Sequence, residues 1–157
     1  MKPSSHYLHC HGFNLHVTTW GDASQPAVIA WHGLARTGRD FDWLAEQLCN
    51  DYYVICPDTI GRGLSQWARD PKEDYSFVSY THIAWDMLQA LNIHQVHWVG
   101  TSMGGALGLV CAAGLVQPGF KGRIRSLVLN DIAPEISVAA VDRIKAYAGQ
   151  PPAFDTV

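Results

Sequence analysis

Ser102 stands in Gly100-Thr101-Ser102-Met103-Gly104-Gly105, a G-x-S-x-G arrangement between a short apolar run and a longer one. A strand that turns sharply into a helix would lift this side chain above a sheet, in a strained backbone conformation. The flanking positions must then be small, and both are glycine. The helix N-terminus beneath the hydroxyl would favour negative charge developing nearby. These are the requirements of a nucleophile for acyl transfer. Acyl transfer also needs hydrogen-bond donors aimed at the oxyanion. The amide after the nucleophile, on Met103, is one candidate, and Leu34 in Trp31-His32-Gly33-Leu34 is the other. His32 is expected to shape that loop through backbone hydrogen bonds, with Gly33, rather than to act as a base. Trp31 reads as core or pocket wall.

Pro57-Asp58-Thr59-Ile60-Gly61-Arg62-Gly63-Leu64-Ser65 is a tight loop. Gly61 and Gly63 supply turn geometry, and Asp58 is placed to accept backbone N–H groups within it. Ser65 is expected to cap the next segment. Phe41, Trp43 and Trp67 lie near loops that would line an acyl pocket, or else simply pack.

The elements that must position these residues alternate in type. Tyr7–Cys10 and Asn14–Trp20 read as strands joined around Gly12; Ala27–Trp31, Tyr53–Cys56, Val96–Gly100 and Ile124–Asn130 come after them as strands. Asp40 is expected to cap a helix carrying Phe41, Leu44, Ala45 and Leu48 on one face. Phe77, Tyr80, Ala84, Met87, Leu88 and Leu91 give a second helix, and Met103–Val116 a third. Val138–Ala148 is a further helical segment. Strand–helix alternation predicts an α/β fold with a mostly parallel sheet, and ligands in such sheets bind beyond the carboxyl ends of the strands.

His32-Gly33, Asp58 with Gly61-Arg62-Gly63-Leu64-Ser65, and Gly100 to Gly105 together resemble the α/β-hydrolase fold family, in its order and spacing. Leu127-Val128-Leu129-Asn130-Asp131-Ile132-Ala133-Pro134 resembles that family's sixth strand and the entry to its cap. The resemblance implies a Ser-acid-His triad, an acyl-enzyme on Ser102, and no metal or organic cofactor. It points to the branch acting on esters, lactones or carbon–carbon bonds. Ser at position 102 argues against the branches with a carboxylate nucleophile. A small carboxylic ester or lactone is the expected substrate.

In this fold the chain order is nucleophile, acid, histidine, yet no histidine occurs after His97. His94 and His97 precede the elbow at the far end of the sheet. Asp131 is the candidate for the acid, or else it caps the loop that leaves the sheet. The expectation is the N-terminal part of a hydrolase core over residues 1–133, then the start of a cap over 134–157. The sheet would stop after its sixth strand, which the remaining half of the fold would have to cover. Phe154-Asp155-Thr156-Val157 reads as the approach to another helix. The rival reading is a non-catalytic, hydrolase-like fragment or pseudoenzyme that binds a ligand or a partner chain.

The remaining composition narrows the class. The chain of 157 residues is 48% hydrophobic and carries a formal net charge of −3, which gives no electrostatic footprint for nucleic acid or an anionic membrane. The longest apolar run, Met103–Val116, is too short to span a bilayer. Met1-Lys2-Pro3-Ser4-Ser5-His6 lacks the apolar stretch of a secretory leader. Cys10, Cys49, Cys56 and Cys111 show no CxxC spacing and are expected as free buried thiols, so a cytoplasmic location is expected. His6, His9, His11 and His16 cluster early but lack metal-ligand spacing, and are expected on exposed strand faces.

Overall fold

The computed structural model describes residues 2–133, 135 and 138–147. Among these, six strands form one sheet: β1 (Ser4–Cys10), β2 (Phe13–Trp20), β3 (Ala27–Trp31), β4 (Tyr53–Pro57), β5 (Val96–Thr101) and β6 (Ile124–Asn130). Their order across the sheet is β1-β2-β4-β3-β5-β6. The first two strands pair antiparallel, and β2 pairs antiparallel with β4. The strands from β4 to β6 run parallel. This is the expected α/β architecture, with a mostly parallel sheet.

Among the described residues five α-helices accompany the strands: α1 (Asp42–Leu48), α2 (Pro71–Asp74), α3 (Phe77–Ala90), α4 (Met103–Ala113) and α5 (Val138–Tyr147). Strand periodicity sorts the core into two layers. Leu15, Val17, Ile29, Ile55 and Trp98 join Ile83, Met87 and Leu88 of α3 and Leu107 of α4 on one face. Trp20, Val28, Ala30, Val54 and Cys56 meet Phe41 and Ala45 on the other. Each fully buried Leu or Ile adds about 1.5–3 kcal/mol to the drive for this arrangement. No helix among the described residues is long and apolar enough to cross a membrane. All four cysteines are free and buried, and burial pushes the thiols of Cys10, Cys56 and Cys111 up to about 12.

Several boundaries differ from the sequence expectation. Asp40 does not cap α1; it lies in a 3-10 turn, Gly38–Phe41, and Arg36 holds its carboxylate through Nε at 2.6 Å and Nη2 at 2.8 Å. Ser65 caps no helix; its hydroxyl donates to the Asp58 carbonyl at 2.6 Å and accepts the His16 amide at 2.8 Å. The third long helix stops at Ala113, because Gly114 adopts φ 61° and closes the last turn on the Cys111 carbonyl. The segment Pro71–Asp74 was not foreseen, and Asp70 caps it by accepting the Lys72 amide. Strand β6 is paired on one side only among the described residues, and Val128 on it is 52% exposed. Ala148, Gln150-Pro151-Pro152 and Phe154-Asp155-Thr156-Val157 lie outside the described residues.

Candidate active site

Ser102 joins β5 to α4 at φ 50° and ψ −113°, a conformation that L residues rarely hold. Close backbone packing keeps it there. A Cβ on Gly100 would overlap the Gly104 carbonyl, and one on Gly104 would overlap the Trp31 carbonyl. The Trp98 indole N–H donates to the Gly104 carbonyl at 3.0 Å, fixing the first turn of α4 against its own strand. The Ser102 amide donates to the Asn130 carbonyl at 2.9 Å, while its carbonyl accepts from Gly105 and Ala106 at 3.0 Å.

The loop after β3 lies directly against this turn. A Cβ built on Gly33 would stand 3.7 Å from Ser102 Cβ. His32 is fully buried; its Nδ1 donates to the Gly33 carbonyl at 2.7 Å and its Nε2 accepts the Thr59 amide at 2.9 Å. Both ring nitrogens are thereby engaged by backbone, with the hydrogen assigned to Nδ1 from those partners. Burial pushes the His32 pKa down, outweighing the Gly33 hydrogen bond and the Asp58 charge. The amides of Leu34 and Met103 meet no protein acceptor among the described residues. Arg62, which the sequence reading passed over, donates from Nε to the Leu34 carbonyl at 3.0 Å. Its Nη1 reaches the Ile60 carbonyl and the Tyr80 hydroxyl, each at 2.9 Å, and Tyr75 and Tyr80 flank its guanidinium. The signal for it was its place between two turn glycines, which aims a long side chain back across the loop.

Asp58 accepts the Gly38 amide at 2.8 Å through Oδ1 and the Leu64 amide at 2.9 Å through Oδ2. A Cβ on Gly63, at φ 52°, would overlap that carboxylate, so this position requires glycine. Trp31 is core: its ring stacks on Trp98 with centroids 5.5 Å apart, and its N–H donates to Thr59 at 2.9 Å. Phe41 is buried in the second core layer, whereas Trp43 and Trp67 are exposed.

Asp131 comes directly after β6 at φ 56° and is exposed. The pairing of Asn130 with Thr101 puts it at the strand end beside the elbow. His97 lies on β5 with its Nδ1 2.8 Å from the Ser126 hydroxyl, and no histidine among the described residues is hydrogen-bonded to Ser102. A further expectation fails at β2. His16 is not on an exposed face but 4% exposed, because the 3-10 turn and the loop after β4 cover that face of β2. The described residues hold no cluster of three or more metal-ligating side chains.

A mostly parallel sheet with a serine held in a strained strand-to-helix turn, against the loop that follows β3, defines an α/β-hydrolase core. A family model described as alpha/beta hydrolase fold matches residues 26–155, and the chain belongs to that family. It is similar to a 3-hydroxybutyrate-oligomer hydrolase of Cupriavidus necator, 46% identical over 138 residues, covering 87% of this chain and 45% of the relative. It is also similar to a 2-hydroxy-6-oxo-2,4-heptadienoate hydrolase of Pseudomonas putida, 33% identical over 82% of this chain and 41% of the relative. Among solved structures, an alpha/beta hydrolase from Novosphingobium aromaticivorans superposes with TM-score 0.83 at 37% identity, over 94% of this chain and 50% of that one. The chain spans about half the length of the relatives it matches.

Proposed function

We propose that this chain carries the nucleophile of a serine hydrolase acting on a small carboxylic ester or lactone. The observation that supports it most is Ser102 at φ 50° over the N-terminus of α4, with Gly33 so near that a Cβ built on it would stand 3.7 Å from Ser102 Cβ. In this reading Ser102 Oγ attacks the acyl carbonyl and the alcohol leaves. Water then cleaves the acyl-enzyme to acid and free serine. The Leu34 and Met103 amides receive the oxyanion, each donor contributing on the order of 3 kcal/mol to the transition state. His32 and Gly33 hold the loop that presents Leu34. The general base is a histidine outside this chain, and Asp131 is the acid candidate within it. Oligomers of a hydroxy acid are joined by ester bonds, so the relative from Cupriavidus necator favours an ester over a carbon–carbon bond. No metal or organic cofactor takes part, the substrate is a small molecule, and the setting is cytoplasmic.

A fluorophosphonate probe applied to the complete protein tests this. Labelling at Ser102, lost in Ser102→Ala together with ester hydrolysis, is the expected result. An unlabelled Ser102 in a folded, complete protein overturns the reading.

A further inference from the structure

Three strand positions from the elbow, ~14 Å across the sheet at the usual strand spacing, lies another grouping of the same residue types. Ser5 Oγ is 2.7 Å from His16 Nε2, and His16 Nδ1 is 2.9 Å from Asp58 Oδ2. The register of the first hairpin produces this. Ser5 pairs with Thr18, so His16, two residues earlier on β2, sits diagonally on the same face. Asp58 comes directly after β4, the other neighbour of β2, and its amide donates to the His16 carbonyl at 2.9 Å.

The chemistry of the three groups is ordered. Asp58 already accepts two backbone amides, so its carboxylate takes the hydrogen on His16 Nδ1. That leaves Nε2 as the acceptor for the Ser5 hydroxyl. His16 and Asp58 are buried whereas Ser5 is exposed. A hydroxyl open to solvent, backed by a buried imidazole that a buried carboxylate orients, is the arrangement that activates a serine. All three residues line a cavity of about 340 Å³, with Thr37 and Arg39 on its wall. Arg39 pairs with Asp42 through Nη2 and keeps further guanidinium donors for an oxyanion.

We propose that Ser5, His16 and Asp58 form a second acyl-accepting site, which takes small activated carboxylic or organophosphorus esters. Ser5 Oγ bonds to the acyl or phosphoryl centre as His16 Nε2 removes its proton. The bond to the leaving alkoxide or fluoride then breaks, and His16 returns the proton to that group. The fold depends on Asp58 through the two backbone amides it holds, so Ser5 is the residue to vary.

The test uses the complete protein carrying Ser102→Ala, treated with a fluorophosphonate and mapped by peptide mass spectrometry. A Ser5 adduct that disappears in Ser5→Ala, and forms at least tenfold more slowly in His16→Asn, is expected. A second readout does not require altering a buried residue. In Ser5→Cys, iodoacetamide reaches the new thiol first, because the four native cysteines are buried. Its alkylation should titrate below about 7, against about 8.5 for an unassisted thiol. An unmodified Ser5 together with an ordinary thiol titration overturns the proposal. Labelling at Ser102 in the parent protein is scored separately, so either site can fail without the other.

Discussion

Arg62 Nε donates to the carbonyl oxygen of Leu34 at 3.0 Å, tying the loop after β4 to the loop that faces Ser102. The same guanidinium is braced by the Ile60 carbonyl and the Tyr80 hydroxyl, so the tie is rigid. Arg62→Ala should therefore loosen the Leu34 backbone while leaving the core intact. An oxyanion contact is made mainly in the transition state, so kcat on a small ester should fall about tenfold with KM little changed. Steady-state kinetics on the complete protein check this. A loss confined to KM would place Arg62 in substrate binding instead.

Ser102→Gly should abolish ester hydrolysis and also stabilise the protein. Glycine occupies φ 50° without the penalty that serine bears there, a relief of about 1 kcal/mol. Differential scanning calorimetry should show a Tm above that of the parent. Ser102→Ala keeps a Cβ in the same strained turn and should show no such gain.

Glycines 33 and 104 both border the elbow, and their alanine variants should diverge. At Gly104 the added methyl overlaps the Trp31 carbonyl and crowds that of His32, and neither backbone group can yield as a side chain would. Gly104→Ala should lose several kcal/mol, or fail to accumulate as soluble protein. At Gly33 the added methyl meets Ser102 Cβ at an ordinary 3.7 Å. Gly33→Ala should fold with nearly the parental Tm and lose activity, because the methyl occupies space a substrate carbonyl would need. Urea midpoints together with initial rates distinguish the two.

His32 links stability to pH. Burial lowers its pKa below the ordinary 6.5, so the unfolded chain takes up a proton before the folded one does. Its contribution is therefore complete above about 6.5 and is lost as pH falls from there through the folded-state value. His32→Asn should be less stable at neutral pH, having lost the contacts to Gly33 and Thr59, and should show a shallower decline in that acid range. Denaturant midpoints collected between about pH 7.5 and 5 test the slope.

Most of the sheet was legible because each central strand is a short apolar run that must be covered on both faces, as Ala27–Trp31 and Tyr53–Pro57 are. The elbow was legible because few sequences place glycine on both sides of a serine between a strand and a helix. Polar side chains whose partners are remote in sequence were not legible. His16 was grouped with His6, His9 and His11 on exposed strand faces, yet this part of β2 is buried on both sides. Its partners lie 11 and 42 residues away. Asp40 carried a helix-cap signature, but Arg36, one turn earlier, captured the carboxylate. Local patterns report burial well; they do not report which of several polar neighbours a side chain will choose.

The packing of the elbow bears on how the gene would respond to mutation. Gly100 and Gly104 touch backbone rather than flexible side chains, so no neighbouring substitution can make space for a larger residue there. In a deep mutational scan, both positions should register as loss of protein abundance, with no specific activity left to measure. Ser102, between them, should show the reverse: normal abundance without turnover. The two phenotypes, two residues apart, would separate the scaffold from the chemistry it holds.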